Sequence, residues 1–508
     1  MTSFIRNVPT ASGARAVQIV HKQGREVVGI EHIGSAHDDS QLAVLMEIAR
    51  QRLLPGQDSF DLAPSDAPAS VSGSSGAGAG ARVAGMSSRL LWDVLVGAYE
   101  RLGFDVVGDE TFKNLVLARI VEPTSKADTI RVLGEIGVPC PGLRTIFRSL
   151  DRCVTRDYRD QIAKACMARI AAGGPVAMVM YDVTTLHFEA EKEDQLRRVG
   201  MSKEHRVDPQ VQVGLLVDPA GFPLEIHMFE GNKAETKTLI PVLDAFTKRH
   251  GVRDMIVVAD AGMLSAGNLN ALEDAGFSFI VGSRITKAPY DLAGHFERHG
   301  DYFDDVQILE STRTMGTGKA ARARRVIYQY KFTRYQHDNR AINAMITRAE
   351  KITTGAAPMA KARFVKLTGA TKELDQGLID RARQLAGLKG YVTNLPPATL
   401  DGQAVIDAYH DLYQVERSFR IAKSDLRARP VFHHDRDAIE AHLTVVFAAL
   451  AVARALQART GVSLKKLVQT LRPLRTVTID IDGHTITAKP HLTDNAERIL
   501  AALPPVTG

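Results

Sequence analysis

Apolar residues follow two rhythms along this chain. Short, nearly continuous apolar runs at residues 176–181 and 255–259 predict buried strands, and each ends abruptly in an acid, Asp182 and Asp260. Between them, residues 210–218 and 222–229 flank Pro219-Ala220-Gly221, which predicts a hairpin. A helical period over 236–250 and an apolar run at 277–281 complete the order strand, strand, strand, helix, strand, helix, strand. Upstream, 16–20 and 26–33 around Gly24 predict a small sheet, and helical patterns occupy 90–102, 112–121, 127–136 and 142–152. Downstream, 389–395 reads as a strand and 409–423 as an amphipathic helix. Residues 443–453, bounded by His442 and Arg454, are too short to span a bilayer and read as a buried helix. A helix at 464–471 and a hairpin over 477–487, turning at Asp482-Gly483, follow.

Composition sets boundaries between these elements. Residues 64–81 are rich in Ala, Ser and Gly, the signature of a flexible linker. The expected division is 1–62, a small β-containing region; 63–86, linker; 87–172, a helical region; 173–283, first part of an α/β core; 284–388, a β-rich insertion; 389–458, second part of the core; and 459–508, a C-terminal appendage. At 508 residues the chain exceeds one ordinary domain. Its net charge of +6 suits a polyanionic partner without requiring one. Cys140, Cys153 and Cys166 lack the spacing of a zinc site or a disulfide framework. With no signal-peptide pattern at the start, a reducing cytoplasm and no membrane are expected. The Gly316-Thr-Gly-Lys319 stretch lacks the remaining elements of a phosphate-binding P-loop.

The candidate chemistry lies in carboxylates. A strand-terminal Asp commonly just caps the next turn, yet a carboxylate that emerges where a buried strand meets a loop is anchored and still reachable, and this chain repeats that design twice. On the 409–423 helix, Tyr409, Glu416 and Lys423 are seven residues apart and share one side, opposite Val415, Phe419, Ile421 and Ala422. Taken alone, a Glu and a Lys on a helix are an ordinary solvated face.

Together these features resemble a known family. The strand order, with acids on the first and fourth strands and a Glu on a late helix, resembles the ribonuclease-H-like fold of DDE transposases. The 409–423 helix resembles the Y-x2-R-x3-E-x6-K signature of bacterial insertion-sequence transposases of family four, in particular the branch named sixteen thirty-four. Tyr409, Glu416 and Lys423 match that spacing, whereas Leu412 stands where the family carries Arg.

The resemblance implies an α/β ribonuclease-H-like core interrupted by a β-rich insertion, with Asp182, Asp260 and Glu416 as catalytic metal ligands. Two Mg²⁺ ions, replaceable by Mn²⁺, are implied, because hard cations take oxygen ligands and a metal pair serves phosphodiester cleavage. It also implies cut-and-paste transposition through nicking at the element's ends, a hairpin and strand transfer. The partners implied are double-stranded terminal inverted repeats and target DNA, engaged by a homodimer. Tyr409, Lys423, Arg417 and Arg420 are the expected phosphate contacts.

In the insertion, Arg322, Arg324, Arg325 and Lys331 interleave with Tyr328 and Tyr330, as in a surface that grips phosphates and stacks bases. The same alternation also fits a strand whose aromatics pack inward. In the helical region, Lys126, Arg131, Arg144 and Arg148 suit a helix-turn-helix reader, and a plain helical bundle explains the pattern equally well. A host nuclease on this fold and a catalytically impaired DNA-binding relic are the alternative functions.

Overall fold

The computed structural model describes residues 2–9, 15–24, 26–36, 42, 45, 46, 49, 82–188, 192–200, 208–252, 254–263, 265–283, 292–358, 362–368, 371–429, 431, 435–481 and 484–503. The chain divides into two compact units, residues 1–77 and 78–508. The linker reading of 64–81 and the Asp482-Gly483 turn lie outside the described residues.

In the first unit, β1 (Thr2–Pro9), β2 (Arg15–Gln23) and β3 (Glu26–Ala36) form an antiparallel sheet in that order. Val17 and Ile19 point to one side of β2 and bury against Ala49. Sequence patterning anticipates β2 and β3 but not β1, whose apolar residues are interrupted by Arg6 and Asn7.

The second unit begins with β4 (Arg82–Ser87), at the expected end of the linker. Five helices follow: α1 (Arg89–Arg101), α2 (Glu110–Val121), α3 (Thr129–Glu135), α4 (Leu143–Thr155) and α5 (Tyr158–Ala171). Next come β5 (Met178–His187), β6 (Gln210–Val217), β7 (Pro223–Glu230), α6 (Leu239–His250), β8 (Ile256–Ala259), α7 (Ala266–Asp274) and β9 (Ser278–Ser283). Residues 284–388, expected as a β-rich insertion, contain α8 (Ala293–His299), β10 (Ile308–Met315), β11 (Arg322–Tyr330), the long α9 (Phe332–Thr353), a β12 (Val365–Thr368) and β13 (Thr371–Leu374) hairpin, and α10 (Gln376–Gln384). The chain ends with β14 (Leu388–Thr393), α11 (Gly402–His410), α12 (Tyr413–Arg420), α13 (Arg436–Thr460), α14 (Leu464–Leu471), β15 (Thr476–Ile481), β16 (His484–Ala488) and α15 (Asp494–Ala501).

The fold is mixed α/β, organised on one large mixed sheet of eight strands in the order β10-β11-β14-β9-β8-β5-β6-β7. Its centre, β5, β8 and β9, is parallel, and the flanking pairs are antiparallel. Strands β10 and β11 therefore extend the main sheet instead of building a separate β layer. Residues 326–330 of β11 are buried on both faces, Ile327 and Gln329 as well as Val326, Tyr328 and Tyr330, where the strand docks on β14. The β6–β7 hairpin forms as expected. Gly221 adopts φ +80°, a left-handed turn conformation that favours glycine, while the Asp218 carboxylate accepts the Phe222 N–H at 2.7 Å.

Helix α13 runs from Arg436 to Thr460, longer than the apolar run that marks its middle. By length and composition it is long and apolar enough to cross a membrane, but 94% of its apolar window is buried inside the protein. It packs on β7, and α1, α2, α4 and α5 surround it. The helical region thus shares one continuous core with the sheet. One local anchor is Asp109, which caps α2 by accepting from Phe112 N–H and also accepts from Ser149, Arg152 and Tyr158. Strand β4 pairs with β15 in a separate three-stranded sheet with β16. Its Gly- and Ala-rich sequence hides this strand.

Candidate active site

Strands β5 and β8 are parallel neighbours, with Tyr181 opposite Ala259 in register. Asp182 and Asp260 follow these two residues, so the two acids stand side by side, about 4.8 Å of strand spacing apart; β8 ends just before Asp260 as expected, but β5 does not end at Asp182 and runs on to His187, because β6 continues to pair with it. Asp182 is half-buried and accepts the N–H of Val183 at 2.8 Å. Just beyond Asp260, the Ser265 hydroxyl accepts the Asn268 N–H at 3.1 Å and caps α7, which limits the freedom of the intervening loop.

The expected single helix over 409–423 is built in three pieces. Helix α11 ends at His410, α12 restarts at Tyr413, and residues 421–425 form a widened turn with Leu426 N–H bonded to Ile421 carbonyl oxygen, an i to i−5 bond. Widened turns of this kind recur at functional sites. Helix α12 buries Val415, Ser418 and Phe419, leaves Glu416, Arg417 and Arg420 exposed, and packs on β5 and β6. Lys423 sits half-buried within the widened turn.

Tyr409 is 6% exposed, and its hydroxyl donates to Asp260 Oδ1 at 2.8 Å. Burial first, and then the Asp260 charge, push this phenol far above its ordinary range and keep the donating proton in place. The expected phosphate contact is thus, in this structure, a support for a carboxylate. Gly282 on β9 makes room for it, since a Cβ there would lie 2.4 Å from the Tyr409 hydroxyl. Lys389 on β14 places its ammonium 4.3 Å from the Tyr409 ring centroid. Burial and the neighbouring Arg334 lower the Lys389 pKa, while Asp260 and Glu416 act in the opposite sense. Sequence reading did not single out Lys389; its one signal was a cation opening an otherwise apolar strand. A cleft of about 530 Å³ lined by Asp260, Arg334, Arg363, Lys389 and Tyr409 opens here.

Asp182 and Asp260 are brought together, and Glu416 projects from the helix packed on β5. Among the described residues no three His, Cys, Asp or Glu side chains are gathered into a metal cage. The donor chemistry, carboxylate oxygens from neighbouring positions on β5 and just past β8, is that of a hard divalent cation.

The family model of the transposase DDE domain matches residues 178–452, more than half of the chain, and spans all three acids. The chain belongs to the DDE transposase family. It is a DNA-binding enzyme that cleaves DNA and transfers strands in transposition, in a family that uses divalent metal ions. No curated protein matches the chain. Among solved structures, the cryo-EM structure of a piggyBac transposase synaptic complex with hairpin DNA is similar, with TM-score 0.39 and 10% identity, covering 74% of this chain and 70% of that one.

The basic and aromatic stretch of this transposase is built differently from the expected DNA grip. Arg324 is 2% exposed, and it pairs with Glu273 and donates to Asn270. Arg322 pairs with Glu273 and Asp274, and Arg325 with Glu310. Tyr328 is buried, and Tyr330 stacks on Phe303 at 5.2 Å. The acids that neutralise these cations come from α7 and β10, so the stretch looks unpaired only when read alone. Lys331 remains half-buried near Lys389, whose pKa it helps to lower. In the helical region, Arg131 is held by Glu122, Asp128 and Glu135, whereas Arg144 and Arg148 stay exposed on α4.

Proposed function

We propose that this transposase has a ribonuclease-H-like core of the family-four insertion-sequence type, in the branch named sixteen thirty-four, and moves its element by cut and paste. The observation that carries the reading is the placing of Asp182, within β5, beside Asp260, just past the end of the parallel β8, with Glu416 on a helix packed against β5. The parallel β5, β8 and β9 flanked by antiparallel β6 and β7 support the core assignment.

Asp182, Asp260 and Glu416 would hold two Mg²⁺ ions, or Mn²⁺ in their place. Such ions supply an activated water and a stabilised leaving oxygen for phosphodiester cleavage. The chain's own residues supply the geometry. Tyr409 fixes Asp260 through its hydroxyl, and the Tyr409 ring is in turn held against Gly282 and Lys389. Lys423 and Arg420 would meet phosphates of the bound end from the same helical segment, while Arg417, expected beside them, lines the cleft with Arg454 and Asp218. Water attacks the end phosphodiester and frees a 3′-hydroxyl, which then displaces an oxygen at the opposite strand's phosphorus to give a hairpin. Two inverted repeats are brought together by a homodimer, and the work is done in the bacterial cytoplasm.

The test incubates the purified chain with Mg²⁺ or Mn²⁺ and a duplex carrying the flanking inverted repeat, beside Asp182→Asn. Metal-dependent nicking and hairpin formation at the repeat end, lost in the variant, support the reading. Cutting without regard to the repeat points to a nuclease, and binding without cutting to a relic. Size-exclusion measurements with end DNA that find only monomer remove the dimer.

A further inference from the structure

Beyond the widened turn, the chain crosses a second basic feature. A cleft of about 610 Å³ opens between the α2–α3 connection and residues 427–429, and among the described residues its lining includes Arg119, Lys126, Arg427, Arg429 and His442 but no carboxylate. Lys126 Nζ lies 2.9 Å from His442 Nδ1, while His442 Nε2 lies 3.1 Å from the Ala428 carbonyl oxygen. That carbonyl accepts only from a protonated Nε2, so in a neutral ring Nδ1 is the acceptor and the Lys126 ammonium donates to it. Lys126 therefore rests on a neutral acceptor. Burial and the nearby Arg119 together lower its pKa well below the usual lysine range.

The backbone around the cleft is held under constraint. Arg427 adopts φ +44°, a left-handed conformation uncommon for a residue with a side chain. Arg119 secures the turn by donating to the carbonyl oxygens of Leu426 and Arg427 at 2.9 and 2.7 Å. A cation clamps a strained turn, and the turn presents another cation. On the lip, Phe147 is 50% exposed, on the same α4 face as the exposed Arg144 and Arg148. A neighbouring cleft of about 980 Å³ shares Pro123 and Arg427 and adds Lys465 and Arg475, with Asp425 as the one acid among the described residues of its lining; Arg472, also in the lining, is held by Glu122 and Glu135 at 2.8 and 3.1 Å. A half-buried Lys126 that rests on a neutral imidazole is costly, and an external anion relieves that cost. The extension of basic residues into the second cleft and onto α4 fits a chain of phosphates better than one isolated anion.

We propose that this cleft binds the DNA backbone, with Lys126 and Arg427 holding a phosphodiester of the duplex beyond the active-site helix. The assignment rests on the transposase reading and gives the C-terminal helix α14 a share in the DNA track. Phosphate contacts do not read sequence, so a random-sequence duplex is a sufficient probe.

Fluorescence anisotropy across a salt series is measured for the full chain, Lys126→Gln, Arg427→Gly and Asp182→Asn, together with thermal unfolding of each. Glycine suits the left-handed backbone at 427, and glutamine removes the uncompensated charge at 126, so both variants are expected to unfold at or above the wild-type temperature. Each is expected to bind more weakly, with the slope of log affinity against log salt shallower by about 0.9, one lost phosphate contact. Asp182→Asn keeps wild-type binding and loses cleavage. Folded Lys126→Gln and Arg427→Gly with unchanged affinity and slope would overturn the cleft assignment and leave the transposase reading intact. A wild-type chain that binds no duplex, yet is stabilised by inorganic phosphate through Lys126, would overturn both and mark a small-anion site.

Discussion

Tyr409→Phe deletes one hydroxyl and leaves the ring in its slot between Gly282 and Lys389. What is lost is the 2.8 Å hydrogen bond to Asp260 Oδ1, a bond to the carboxylate we propose as a metal ligand. Hydrogen bonds to charged groups contribute about 1.5–3 kcal/mol. Partners that orient metal ligands typically matter by about 10- to 100-fold in metal affinity or activity, and at about 1.36 kcal/mol per tenfold the two ranges agree. The expected outcome is a 10- to 100-fold higher Mg²⁺ requirement, or an equal loss of nicking rate, with duplex affinity and its salt slope unchanged. The assay is single-turnover nicking of the repeat-bearing duplex across an Mg²⁺ titration, with Asp182→Asn as the inactive reference. Wild-type rate and Mg²⁺ dependence in Tyr409→Phe would refute the positioning role. Weaker binding with a shallower salt slope would instead return Tyr409 to the phosphate contact suggested by its sequence spacing.

Three further outcomes follow from the same coordinates. Gly282→Ala puts a Cβ 2.4 Å from the Tyr409 hydroxyl, so it should destabilise by about 1–3 kcal/mol and reduce nicking; combined with Tyr409→Phe, the losses should be less than additive because both act on one contact. Burial pushes the Glu225 carboxyl up, but hydrogen bonds from His227, His250 and Arg249 bring it down from 4.5 to about 2. A depressed carboxylate stabilises the fold fully above about 4.5 and loses that contribution as pH falls toward 2, so about 3 kcal/mol should disappear across that window in denaturant titrations of wild type and not of Glu225→Gln. Arg324→Met removes a buried guanidinium from Glu273 and should cost about 3–5 kcal/mol in urea unfolding, with the DNA affinity of the folded protein unchanged; a selective loss of DNA binding would restore Arg324 as a DNA contact.

The two aspartates were legible because a buried parallel strand must be a continuous apolar run, and an acid that interrupts it is conspicuous, although only Asp260 follows a strand end while β5 runs on past Asp182 to His187. Their adjacency was not, because strand order within a sheet leaves no local mark; only the register of Tyr181 with Ala259 supplies it. The helix carrying Glu416 was read from its buried face, Val415 and Phe419, which the structure retains. Its breaks at 411–412 and 421–425 were hidden, since no Gly or Pro announces them. The acidic partners of Arg322, Arg324 and Arg325 lie 15 to 51 residues away in sequence, beyond the reach of local charge counting. Strand β4 escaped notice for the opposite reason: its pairing with β15 overrides a composition typical of linkers.

Leu412 illustrates how a departure from a family spacing is absorbed. It lies at the junction of α11 and α12, is 7% exposed and belongs to the continuous core. An arginine of the family signature at this position would have to carry its charge out of that core, so here the position serves packing. Arg417, three residues before Arg420, lines a different cleft with Arg454 and Asp218, near the β6–β7 hairpin. The cation beside the acids instead arrives from β14, where Lys389 lies over the Tyr409 ring and feels both Asp260 and Glu416. Positive charge near the carboxylates is therefore retained through a strand of the sheet, which holds its position more rigidly than an exposed helical side chain, and Leu412 alone is no argument for inactivity.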